Sequence, residues 1–141
     1  MNAIHLFYEV SGDDFARAGE ASGDVKQKLK SLGYDKTAIR NAAIAMYEGE
    51  INMVIHAGGG VIDVDIYPEK IEIKMEDKGP GIPDLDMAMQ EGFSTAPPQI
   101  HDLGFGAGMG LPNIKKYTDK MHIDTELGVG TTVYMTVNAN K

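Results

Sequence analysis

The sequence predicts an α+β fold, a two-layer sandwich whose mixed, mostly antiparallel sheet is covered by helices on one face. Three observations predict it. Strand-like stretches come as one early segment and two later pairs, not singly between helices. Each later pair is joined by a short turn segment, Pro68-Glu69 or the stretch holding Gly128 and Gly130. A long apolar stripe at helical spacing lies between the early segment and the pairs.

Residues 4–10 hold Ile, Leu, Phe, Tyr and Val and stop at Ser11-Gly12, which reads as the opening strand. From 13 to 32, Phe15, Ala18, Val25, Leu29 and Leu32 recur at helical intervals, with a gap between Gly19 and Gly23. This predicts a helix capped by Ser11 or Asp13 and ended by Gly33. A longer helix is expected from 35 or 36 to 56, with Ile39, Ala42, Ala43, Met46, Tyr47, Ile51, Val54 and Ile55 as its apolar stripe and Gly58-Gly59-Gly60 as its stop. Residues 61–67 and 70–75 alternate as a hairpin of half-buried strands. A short helix is expected over 84–91, a Gly- and Pro-rich loop over 92–110, and a further helix over 111–119 with Pro112 in its first turn. Residues 121–126 and 131–137 read as the closing hairpin.

The chain has 141 residues, which predicts one domain over 1–141, and 43% hydrophobic against 24% charged residues is the balance of a globular core. Thirteen Lys and Arg against 21 Asp and Glu give a net charge of −8, which argues against a nucleic-acid partner, because neutralising phosphates takes clustered cations. Cysteine is absent, so disulfides, thiolate nucleophiles and Cys-ligated zinc are excluded. No basic segment followed by an apolar run opens the sequence, and no stretch nears the roughly 18 apolar residues of a membrane span. The expectation is a cytoplasmic protein with no membrane partner.

Glycine is the skewed residue, 17 of 141, or about 12% against a usual figure near 7%. It concentrates in Asp77-Lys78-Gly79-Pro80-Gly81-Ile82-Pro83, after a strand, and in Gly104-Phe105-Gly106-Ala107-Gly108-Met109-Gly110-Leu111, before a helix. Backbone N–H groups of such loops converge on anions, and a helix N-terminus adds partial positive charge, so phosphate is the expected ligand. A flexible surface loop explains either segment alone equally well. No lysine follows the glycines as in a Walker A loop, and the spacing is not G-x-G-x-x-G, so P-loop and Rossmann readings are rejected.

On the long helix Glu48, Asn52 and His56 are spaced i, i+4 and i+8 and share one side. An amide oxygen can complete a Mg²⁺ shell, and a carboxylate can accept a proton from a hydroxyl or water. Taken alone, the stripe is more often a solvated helix face. Glu50 is about 200° from Glu48 around the helix and a poor participant on that face.

Together these motifs resemble the GHKL, or Bergerat-fold, ATP-binding superfamily shared by histidine-kinase catalytic domains, gyrase, Hsp90 and MutL. Glu48-x-x-x-Asn52 resembles the N box, Asp77-x-Gly79-x-Gly81 the first glycine box, Gly106 to Gly110 the second, and Gly130-Thr131-Thr132 the closing threonine motif. The early strand and helix are similar to the compact serine-kinase branch, the anti-sigma-factor kinases of the SpoIIAB and RsbW type and the switch kinase RsbT. The runs Glu76 to Asp84, Gly92-Phe93-Ser94-Thr95 and Gly110-Leu111-Pro112 resemble the RsbT pattern.

The resemblance implies ATP or ADP with Mg²⁺ as cofactors. It implies Asp77 as acceptor for the adenine amino group with Thr132 helping through water, Asn52 as Mg²⁺ ligand and Glu48 as general base. Gly79, Gly81 and Ile82 would lie beside the base, and Gly104, Gly106, Gly108, Met109, Gly110 and Leu111 would form the lid over the phosphates. Lys115 and Lys116 are a local positive pair that could help hold triphosphate, although lysines on a helix face are more often solvated. The implied activity is serine/threonine phosphorylation of a STAS-domain antagonist in a partner-switching circuit, with a sigma factor or phosphatase as further partners and homodimers as in the anti-sigma branch. The alternative is a non-catalytic, nucleotide-gated binding module. Two departures stand out. No arginine precedes the second glycine box, as one does in SpoIIAB-like kinases, and residues 96–102 lengthen the lid, with His101-Asp102 a poor phosphoacceptor pair there.

Overall fold

The computed structural model describes residues 3–12, 18–82, 89 and 110–139. In chain order the elements are β1 (Ile4–Ser11), α1 (Glu20–Ser31), α2 (Lys36–His56), β2 (Gly59–Ile66), β3 (Lys70–Asp77), α3 (Gly110–Tyr117), β4 (Lys120–Glu126) and β5 (Gly130–Asn138). The strands form one sheet in the order β1-β2-β3-β5-β4, and every pairing among the described residues is antiparallel. The parallel component of the expected mixed sheet is absent among them. The expected helix over 84–91 and loop over 92–109 lie outside the described residues, apart from Met89.

Alternation fixes which face is covered. Ile62, Val64 and Ile66 of β2, Ile71, Ile73 and Met75 of β3, and Met135 and Val137 of β5 are all buried, while the residues between them are exposed to some degree. The buried row packs beneath α2, which touches β1, β2, β3 and β5, and α1 and α3 flank it. On the open face, His5 pairs with Asp65 at 2.7 Å and lies 3.3 Å from Asp63.

α2 starts where Asp35 accepts a hydrogen bond from the Ala38 N–H at 3.0 Å. Its buried hydrophobic residues are Ala38, Ile39, Ala42, Ala45, Met46, Ile51, Met53 and Val54. Tyr47, expected in the apolar stripe, is 37% exposed, whereas Glu50 is 2% exposed. Glu50 receives the Ala21 and Ser22 N–H groups, each at 3.1 Å, and so satisfies two donors at the N-terminus of α1. α1 begins after Gly19, with φ 101°, not at Ser11 or Asp13, and residues 13–17 are outside the described set.

Candidate functional site

β3 delivers Asp77 to the helix-covered side of the sheet, because it continues the parity of Ile71, Ile73 and Met75. Its Oδ1 accepts the Gly79 N–H at 2.9 Å and the Thr131 N–H at 3.2 Å. Both protein hydrogen bonds among the described residues go to this one oxygen, which leaves Oδ2 as an acceptor for something else. Thr131 stands opposite Asp77 in the β3–β5 register and opposite Thr125 in the β4–β5 register. The two threonine hydroxyls lie 2.9 Å apart, and the Ile82 N–H donates to Thr125 Oγ1 at 2.9 Å. A polar row therefore runs from Asp77 across the floor of the site.

Thr132, expected beside the adenine, is opposite Glu76 and Asp124 instead. Strand alternation turns it to the face away from Asp77, so Thr131 occupies the place assigned to Thr132. The pairing register was the missing signal, since either threonine follows Gly130 closely enough.

The glycines of the 77–82 segment are required by close approach. A Cβ on Gly79 would lie 2.7 Å from the Cβ of Ala57, and one on Gly81, whose φ is +82°, would lie 2.6 Å from the Glu126 carbonyl oxygen. Gly130, with φ +149°, packs against the Asp77 carbonyl with no room for a side chain. The Gly128 N–H also donates to the Pro80 carbonyl at 2.9 Å. This loop is thus wedged between the C-terminal end of α2 and the β4–β5 hairpin.

Asn52 lies five residues before Ala57, roughly 8 Å along the helix axis, and Glu48 is one further turn back. Both side chains are half-buried. Burial pushes the Glu48 carboxyl above the ordinary range, and the nearby Asn113 side chain on α3 pulls partly the other way. α2 lies close to the sheet here because Gly49 leaves room for the Met75 sulfur. His56 is the last residue of α2.

Gly110 opens α3, and Leu111 packs against the core. Gly104, Gly106, Gly108 and Met109 lie outside the described residues. Lys115 and Lys116 are exposed, as expected of a solvated face. Among the described residues no group of three or more His, Cys, Asp or Glu is placed to hold a metal. A cation at Asn52 would thus draw most of its ligands from phosphate oxygens and water, which is how Mg²⁺ is usually held beside a nucleotide.

Residues 36–141 match the family model for histidine kinase-, DNA gyrase B-, and HSP90-like ATPases. The chain belongs to this ATPase family. ATP is accordingly the ligand class that the family implies.

Within the ATPase family the chain is 32% identical over 108 residues to the serine/threonine-protein kinase RsbT of Bacillus subtilis (strain 168), covering 74% of this chain and 75% of RsbT. It is 31% identical to the anti-sigma F factor of Geobacillus stearothermophilus, covering 95% of this chain and 90% of that one. A similar protein of Thermoanaerobacter sp. (strain X514), also named anti-sigma F factor, is 32% identical over 96% of this chain and 92% of its own length. These two alignments take in β1 and α1, which precede the family match. Among solved structures, the RsbU and RsbW domains of Rv1364c from Mycobacterium tuberculosis superpose with a TM-score of 0.65 at 16% identity over 96% of this chain. This chain spans 32% of that one. The mycobacterial sensor histidine kinase MprB superposes with a TM-score of 0.54 at 17% identity, over 97% of this chain and 99% of that one. At these identities the likeness is one of fold.

Proposed function

We propose that the protein is an ATP-dependent serine/threonine kinase of a partner-switching system, formed by a single domain over 1–141, which phosphorylates a small STAS-domain antagonist. The observation that carries nucleotide recognition is the divided use of Asp77. With Oδ1 held by two backbone N–H groups, Oδ2 is oriented to accept from the adenine amino group. In this reading Thr131 lines the same floor, Gly79, Gly81 and Ile82 flank the base, and the segment holding Gly104, Gly106, Gly108, Met109, Gly110 and Leu111 covers the phosphates.

Glu48 takes the proton from the attacking serine or threonine hydroxyl. A carboxylate whose burial has raised its pKa is a better proton acceptor than a solvated one, which suits it to that task. Asn52, one turn on, would hold Mg²⁺ by its amide oxygen. When bound, the ion supplies positive charge that offsets charge on the phosphates. Such a reaction requires a compartment that supplies ATP, and the proposed location is the cytoplasm.

The STAS partner and a phosphatase as a further partner rest on the likeness of the motif runs to RsbT, and a sigma factor rests on the relatives named anti-sigma F factors. Homodimers are part of the same reading. The relatives named anti-sigma F factors also favour a second reading, in which nucleotide gates a docking surface without phosphotransfer.

The deciding experiment incubates the protein and Glu48→Gln with γ-labelled ATP, Mg²⁺ and a panel of purified STAS-domain proteins. Transfer to a serine or threonine that falls about 10²- to 10⁴-fold in Glu48→Gln, with ATP still bound, is the expected result. Nucleotide-dependent complexes without a phosphorylated partner would favour the gated binding module.

A further inference from the structure

We propose that Thr125 is a specificity-determining positioning residue: with the Ile82 amide it fixes the direction in which the Thr131 hydroxyl donates, and so the hydrogen-bond pattern offered to a bound base. This inference rests on the reading of Asp77 as the adenine acceptor.

Hydrogen counting fixes the direction. A backbone N–H can only donate, so Thr125 Oγ1 is the acceptor toward Ile82 at 2.9 Å. A hydroxyl carries one hydrogen, and that of Thr125 has two acceptors in reach, Thr131 Oγ1 at 2.9 Å and the Gly130 carbonyl oxygen at 3.5 Å. Hydroxyl-to-oxygen bonds fall between about 2.5 and 3.0 Å, so the Thr131 oxygen takes it. In the reverse direction Thr131 would donate to Thr125, and the Thr125 hydrogen would be left with the distant carbonyl. The row therefore runs one way, from the Ile82 N–H to Thr125 and from Thr125 to Thr131, and the Thr131 hydrogen is left over. Among the described residues no other acceptor takes it. Thr131 is 8% exposed, which keeps bulk water from scrambling the order.

The register puts the leftover hydrogen to use. Thr131 is the cross-strand partner of Asp77, and its own N–H holds Asp77 Oδ1. The floor thus offers an acceptor, Asp77 Oδ2, beside a donor, the Thr131 hydroxyl. Adenine presents the matching donor and acceptor, its 6-amino group and N1, whereas a 6-oxopurine presents an oxygen and an N1–H. A site of fixed polarity rejects that reversed pattern, because its own polar groups are then left unpaired. Thr125 acts through Thr131, from the neighbouring strand.

The test is calorimetric binding, with Mg²⁺, of ATP and of inosine triphosphate, which carries the 6-oxo base without a 2-amino group. The wild type should prefer ATP. Thr125→Val should narrow that preference about 3- to 10-fold, and Thr125→Ser, which keeps the hydroxyl, should restore it. In a Thr131→Val background Thr125→Val should narrow it no further, because its effect passes through the Thr131 hydroxyl. Equal losses of affinity for both nucleotides in Thr125→Val would mark a residue that merely holds the loop and overturn the proposal, as would full additivity with Thr131→Val. Equal binding of the two nucleotides by the wild type overturns instead the adenine reading on which it rests.

Should Thr125→Val fail to fold, the wild type decides with 1-deaza-ATP, which keeps the 6-amino group but has C–H in place of N1. Binding about 3- to 10-fold weaker than that of ATP is expected, since the Thr131 donor then meets no acceptor. Equal binding of ATP and 1-deaza-ATP means that the Thr131 hydrogen points elsewhere, and overturns the proposal.

Discussion

Replacing Asp77 by Asn keeps an oxygen that can serve the Gly79 and Thr131 N–H groups but turns the other terminus from an acceptor into a donor. That donor would face the adenine amino group, itself a donor. Adenine-nucleotide affinity should fall about 10- to 100-fold, the equivalent of one hydrogen bond to a charged group. The 6-oxo group of guanine should become relatively more acceptable, so calorimetry with ATP and GTP checks both effects. The threonines separate in the same assay. Thr131→Val removes a hydroxyl from the floor of the site and should weaken binding, whereas Thr132→Val, on the other face, should leave it unaltered.

Glu48 also makes a prediction about stability. Its carboxyl titrates higher in the folded chain than the unfolded value of about 4.3, chiefly through burial. The folded state thus holds its proton more tightly, and stability is lost as pH rises from the unfolded value through the folded one. Glu48→Gln escapes this loss. In metal-free buffer its melting temperature should exceed that of the wild type near pH 7.5, and the gap should close as the pH approaches 4.

Among the elements, α1 depends on α2 through one carboxylate. Glu50→Ala would strand the Ala21 and Ser22 N–H groups in a buried setting and should destabilise the fold by about 2 kcal/mol or more, read from denaturant unfolding. ATP affinity of the folded fraction should be unchanged, because Glu50 points away from Glu48 and Asn52. The helical spacing that set Glu50 apart from those two residues was legible in the sequence. Its burial was not, because a carboxylate enters a core only when donors from elsewhere arrive to meet it, and nothing in the local pattern of α2 announces the start of α1. The strands were legible to within one or two residues, since period-two alternation of Ile, Val and Met against charge has no helical counterpart. The clustering of Asp77 with its glycines could be read from motif order, whereas which threonine stands opposite Asp77 needed the β3–β5 register, a tertiary fact.

For the whole molecule, a ligand bound to the folded state alone should add stability by mass action. ADP at about one hundred times its dissociation constant should contribute about 2.7 kcal/mol, visible as a rise in melting temperature that Asp77→Asn abolishes at the same concentration. The rise should appear for the fold as a unit, because α2, β3 and β5 all border the site and share one buried core.

The tie between Asp77 and Thr131 spans 54 positions of sequence. A chain that has formed β2 and β3 but not yet placed β5 has the Asp77 carboxylate without the strand that aims it. With Asp77 as the adenine acceptor proposed above, nucleotide capture would report on completed topology. During synthesis or refolding, ATP would discriminate finished molecules from partly assembled ones and draw the population toward the closed sheet.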